Sequence, residues 1–138
     1  MPSEREAYDE LCAYTLTHGG AAFIHQHVVD AFAAQAADEH TKPIGVTFAL
    51  VGLYLHVERA FTGRQVQRTH MLMARLRRSW PVFLLPDQRG AITARTVLSA
   101  PEGIARDKAI DDWCASVWRA FIQNRQAVID LLNEYDVR

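Results

Sequence analysis

A chain of 138 residues, 49% hydrophobic and 22% charged, has an ordinary globular composition and enough length to bury one core without a disulfide or metal staple. Its 15 Lys and Arg nearly balance 16 Asp and Glu, and the net charge of −1 supplies no field to hold nucleic acid or an anionic membrane. The two cysteines, Cys12 and Cys114, stand far apart among apolar neighbours, which excludes a disulfide framework or a zinc ribbon and fits reduced thiols in a cytoplasmic protein.

Ser3 and Glu6 have the S-x-x-E spacing of a capping box, and Tyr8, Leu11, Cys12 and Thr15 follow at helical steps, so helix one runs to a stop at Gly19 or Gly20. The opening MPSEREAYDE has neither a basic start nor an apolar run and does not read as a signal peptide. Helix two spans about Ala21 to Ala37 and ends in the polar DEHTKP. Pro43 suits the first turn of helix three, which continues to about Ala60, apolar nearly all round and therefore central. Its apolar run is shorter than the ~20 residues that a membrane span needs. Thr62 and Gln65 repeat the capping-box spacing ahead of helix four, which ends before SWP.

From Trp80 to about Lys108, Pro81, Pro86, Gly90, Pro101 and Gly103 interrupt the chain, and GAITARTVLSA offers one short element of undetermined type. A last helix, from Ile104 or Asp107 to Tyr135, aligns Ile110, Cys114, Val117, Phe121, Val128, Leu131 and Tyr135 on one face. The spacing predicts an all-α antiparallel bundle of about five helices, with an irregular Pro/Gly-containing excursion before a long C-terminal helix, in a single domain over residues 1–138.

The polar residues on apolar faces define the candidate pocket. In FIHQHVVDAFAAQ, His27 and Asp30 fall within about 60° of each other on a helix, and a carboxyl beside an imidazole sets the ring's tautomer and basicity. His56 shares a face with Ala49 and Gly52, a small-residue groove that invites close helix packing or leaves room for a ligand. Glu58 points the other way and needs a cation, for which Arg59, Arg64 and Arg68 are near in sequence. His70 lies on the inner side of helix four with Val66 and Met73, and Asn124 interrupts the apolar row of the last helix, where His27 or His56 is the expected partner of its amide. His27, His56 and His70 on three inward faces are the minimum for a divalent metal, although no HxxxH or HExxH pair fixes a geometry. Arg64, Arg68, Arg75 and Arg78 make a basic stripe on the outer side of helix four, suited to an anion or to solvent. The stripe has no interleaved aromatics, so nucleic acid is not expected. Trp80, Trp113 and Trp118 read as anchors, with Trp80 pinning the excursion.

The stretches IHQHVVDAFAAQ, GLYLHVERAFTGRQVQRTHM, AITARTVL and WCASVWRAF resemble an uncharacterised bacterial family of small helical proteins, a domain of unknown function, over about Tyr8 to Leu132. Family members often read H-x-x-V-D-x-Y-x-x-Q-H, where this chain has Phe32 and Ala36. The resemblance implies the helical fold and no activity. A looser resemblance is to the DinB-like metal-dependent four-helix bundles, which hold a divalent ion with three histidines on separate helices; it implies a metal-dependent hydrolase or transferase using His27, His56 and His70, with Asp30 or Glu58 as base. The leading expectation is a cytoplasmic binding or interaction domain with a polar pocket in the bundle, working as a homodimer and without a membrane.

Overall fold

The computed structural model describes residues 2–17, 22–76, 79–135 and 137. The expected helix stop at Gly19 or Gly20, the expected start of helix two at Ala21, and Arg78 lie outside the described residues. Among the described residues the chain is all-α: α1 (Glu4–Thr17), α2 (His25–Ala36), α3 (Pro43–Arg59), α4 (Gly63–Leu76), α5 (Ala94–Leu98), α6 (Ile104–Ala120) and α7 (Arg125–Asn133), with a 3-10 turn at Ile122–Asn124. None of these helices is long and apolar enough to cross a membrane.

The start signals behave as their chemistry requires. Glu6 N–H donates to Ser3 Oγ at 3.1 Å and Ser3 N–H to Glu6 Oε1 at 3.4 Å; Gln65 N–H donates to Thr62 Oγ1 at 3.2 Å and Thr62 N–H to Gln65 Oε1 at 2.8 Å. A third capping box, Thr93 with Thr96, starts α5, so the element of undetermined type is a helix of 5 residues packed on α1 and α6. Pro43 opens α3, which buries Val46, Thr47 and everything from Ala49 to Tyr54 and on to Leu55, and α2 lies along it as its main neighbour.

Two departures from the sequence expectation matter. The last helix is not continuous: Phe121 leaves helical geometry, and a 3-10 turn redirects the chain so that α7 packs Val128, Leu131 and Leu132 against α3. Asn124 sits in that break, and its side chain holds the excursion: Leu84 N–H donates to Oδ1 at 2.8 Å, and Nδ2 donates to Leu84 O at 2.9 Å. Its partner is therefore a loop backbone rather than His27 or His56. An amide that competes for backbone groups disfavours a helix interior, which accounts for the break.

The excursion itself is tied down by side chains. Gln35 Nε2 donates to Arg89 O at 3.1 Å and Ile92 O at 2.8 Å, while its Oε1 accepts from Trp113 Nε1 at 3.0 Å. Arg89 returns the contact, donating to the carbonyls of Ala34 at 3.0 Å and Ala37 at 2.9 Å at the end of α2, and to Pro86 O. Trp80 stands edge-on to Phe48 at 5.3 Å. Trp113 and Trp118 are core residues.

Candidate functional site

The turn between α3 and α4 shapes one end of the bundle. Ala60 takes a left-handed conformation at φ 56°, and Phe61 N–H closes back onto Leu55 O at 2.9 Å, which turns Phe61 O toward the last turn of α3. Gly63 then packs against the chain entering α2: its N–H donates to Ala22 O at 2.6 Å, and a methyl group there would fall 1.8 Å from Phe23 O. Only glycine permits that approach.

His56 ends up between two acceptors. Its Nδ1 lies 3.2 Å from Phe61 O and its Nε2 3.0 Å from Asp111 Oδ1 on α6. A carbonyl and a carboxylate both only accept, so both contacts are hydrogen bonds when the ring carries two N–H groups. The His56 hydrogen bond holds the Asp111 carboxyl below its ordinary range, against the opposing effect of partial burial.

His27 stacks face to face on His56, with centroids 3.5 Å apart and planes 15° from parallel. It is 4% exposed, and burial, followed by the neighbouring His56, pushes its imidazole down to about 3, which keeps the ring neutral. Its Nδ1 is buried and, among the described residues, has no hydrogen-bond partner. One turn along the same face, Asp30 is 3% exposed and shares this condition: Oδ1 accepts from Gln26 Nε2 at 3.1 Å, but Oδ2 is buried without a partner. Burial drives its carboxyl well above the carboxylate range, against the lowering effect of the Gln26 bond, which favours the protonated acid. Asp30 fits only because residue 52 is glycine, where a methyl group would fall 1.9 Å from Oδ2. The small-residue groove expected on α3 is thus filled at Gly52 by the Asp30 carboxyl. Cys114 of α6 closes the same spot, its thiol 3.6 Å from His27 O.

In front of His27 and His56 is a cavity of about 300 Å³, lined also by Ile24, Phe61, Asp107 and Asp111. Asp107 is held by α1: the Tyr14 hydroxyl donates to its Oδ1 at 2.8 Å. Two larger hollows, about 410 and 590 Å³, border the excursion, but the polar side chains Gln35 and Arg89 at the first are already bonded to backbone groups, and the second lies along Arg119 and Ser116 without a buried polar group.

His27, Asp30 and His56 therefore come together, and His70 does not join them. His70 stacks on Phe48 at 4.6 Å, its Nε2 donates to Phe48 O at 2.8 Å, and burial pushes its ring down to about 4. The three-histidine ion set expected from the sequence is not assembled, and among the described residues no group of three His, Cys, Asp or Glu is arranged to hold a metal. Glu58 pairs across the bundle, accepting from Arg125 at 2.8 to 2.9 Å and from Trp118 Nε1 at 2.7 Å, rather than with Arg59, Arg64 or Arg68. Arg64 lies over the Phe23 ring at 4.3 Å, and Arg68 and Arg75 are exposed along α4. Sequence reasoning missed Asp107 and Asp111. Their i, i+4 spacing puts them on one side of α6, but no sequence signal connects that side to the end of α3.

A family model described as Family of unknown function (DUF5946) matches residues 5–122, a span that holds every residue of this cluster. No curated protein and no solved structure matches the chain.

Proposed function

The chain belongs to DUF5946, and from that premise, a family of unknown function, we propose that this protein is a small-molecule binding domain whose site is the cavity between α2, α3 and α6. One observation carries the reading: His27 lines the cavity and is almost wholly buried, and among the described residues its buried Nδ1 has no hydrogen-bond partner. Leaving a buried polar group unpaired costs roughly 1–3 kcal/mol, and a fold under no other demand replaces it with an apolar side chain. The rest of the cluster serves to position that ring. Phe61 O and Asp111 fix His56, His56 supports the face of His27, and Asp30 stands behind it on α2.

With Asp30 protonated and His27 neutral, the pair holds two unpaired polar atoms three residues apart, within the reach of helical i, i+3 neighbours. An Nδ1–H of His27 donated to Asp30 Oδ2, directly or through one water, would leave both groups neutral and make the other ring nitrogen an acceptor toward the cavity. A ligand is thereby met by a ring whose tautomer the protein sets from behind.

A fragment screen followed by amide and histidine-ring NMR tests the proposal. Hits are expected to shift His27, His56, Phe61 and Asp111 together and to lose those shifts in His27→Phe, which keeps a stacked ring but no nitrogen. Hits confined to the hollow at Gln35 and Arg89, or hits indifferent to His27→Phe, would sink it.

A further inference from the structure

The walls of the cavity also point to the chemistry of what it takes, an inference that rests on the binding reading above. Asp107 and Asp111 stand one turn apart on α6 at its edge. Each uses one oxygen internally, Asp107 Oδ1 for the Tyr14 hydroxyl and Asp111 Oδ1 for His56. Among the described residues neither Oδ2 has a hydrogen bond, and no Lys or Arg nitrogen lies within 4.0 Å of either carboxylate.

The neighbouring cations are committed elsewhere. Arg106 donates to the carbonyls of Leu98 at 2.9 Å and Ala100 at 3.0 Å and covers the Tyr14 ring; Lys108 pairs with Asp112 at 2.9 Å; Arg64 lies over Phe23 and Arg59 beside Phe61. The site carries two carboxylates against a single histidine on its rim, and among the described residues only Lys108, itself paired with Asp112, acts on Asp111 from a distance. His27, neutral at the inner wall, does not oppose a cation and has a lone pair to offer it. Of the remaining walls, Ala22, Ile24, Ala60 and Phe61 are apolar, and the Thr62 hydroxyl is engaged in accepting from Gln65 N–H.

We infer that the pocket takes a small organic cation, a primary ammonium or amidinium on a short alkyl or single-ring body, whose N–H groups meet Asp107 and Asp111 while its body lies on Ile24 and Phe61. The cavity of about 300 Å³ sits at the lower end of the ligand-site range, which excludes nucleotides and other large ligands. Here His27, a lining residue that is 4% exposed and whose Nδ1 has no partner among the described residues, supplies the second observation that the acidic pair alone would lack.

Three probes with one body and three charges decide the matter: benzylammonium, benzyl alcohol and benzoate, titrated against the intact chain at low salt while the His27 and Phe61 resonances are followed. Benzylammonium should bind at the pocket at least about tenfold tighter than benzyl alcohol, and about 0.5 M salt should remove most of that margin. Asp107→Asn should remove it without salt, and because the asparagine Oδ1 still accepts from Tyr14, retained circular dichroism and retained binding of the alcohol separate a lost charge from a lost fold. Should benzyl alcohol or benzoate bind at His27 as well as the amine does, the cation inference falls while the binding reading stands. If no probe moves His27 or Phe61, both fall. The salt dependence in the unmodified chain keeps the test decisive even where the variant does not fold.

Discussion

Gln35 and His27 stand about two turns apart on the same helix, and the fold treats them oppositely. Gln35 donates to two loop carbonyls and accepts from Trp113, so its amide holds the excursion to α2 and α6. Arg89 and Asn124 work in the same way on backbone groups, and in that region each polar side chain that enters the protein replaces a hydrogen bond the irregular chain cannot make for itself. At the end of the bundle around His27 and Asp30, by contrast, polar atoms are buried and left without partners. The first pattern stabilises a loop; the second lowers stability and is intelligible as preparation for a ligand.

Substitutions separate the two regions. The largest effect should come from Gly52→Ala, whose methyl group would collide with the Asp30 carboxyl at 1.9 Å; a loss of about 3 kcal/mol in denaturant unfolding is expected. Combining it with Asp30→Ala should return much of that loss, since the new methyl group then enters the space the carboxyl vacates, and strictly additive losses would mean that Asp30 does not occupy the groove. On the loop side, Asn124→Ala strands the Leu84 N–H and carbonyl and should cost about 2 kcal/mol, with no change in fragment binding at His27. Were binding to change instead, the two regions would not be independent.

Acid has a sign that follows from the rings. His27 and His70 are held down to about 3 and about 4, against about 6.5 in an unfolded chain. Below about pH 6.5 the unfolded chain gains protons that the folded one refuses, so stability is full above that pH and falls with acid, by up to about 1.4 kcal/mol per pH unit for each ring. Asp30 acts the other way: its raised carboxyl contributes fully below the ordinary carboxylate range and loses its contribution as pH rises toward its folded value. Unfolding free energies should therefore rise with pH up to about 6.5, less steeply than the two rings alone would make them. The smallest expected change is in Asp30→Asn, which removes this opposing carboxyl, so stability should rise more steeply with pH than in the unmodified chain and end about 1 kcal/mol higher at the alkaline end. An unchanged slope would place the titration on another group.

Much of the fold is legible in the sequence because its signals are local. Ser3 with Glu6, Thr62 with Gln65, and Pro43 each specify a helix start from a few residues, and the apolar surface of α3 announces its central place. The break at Phe121 is less local. It depends on Asn124 meeting Leu84, 40 residues away, which an unbroken apolar row conceals. The site is legible in half: His27, Asp30 and His56 stand out as polar residues on apolar faces, but periodicity gives only the face of a helix and not which helices meet. So His70 looks equivalent to His27 from sequence yet is satisfied by Phe48 O, while Asp111, on a polar face like any solvated carboxylate, becomes the partner of His56.

The account rests on His27 and Asp30 being neutral and unpaired by the fold, and a pH titration of the free protein with labelled histidine rings and aspartate carboxyl carbons reads both directly. A His27 ring that stays neutral from pH 8 down to about 4 is expected, together with an Asp30 carboxyl that keeps its proton well above the ordinary carboxylate range. A charged His27 beside an ionised Asp30 near pH 6 would contradict it, because the two would then satisfy each other and leave nothing for a ligand to complete.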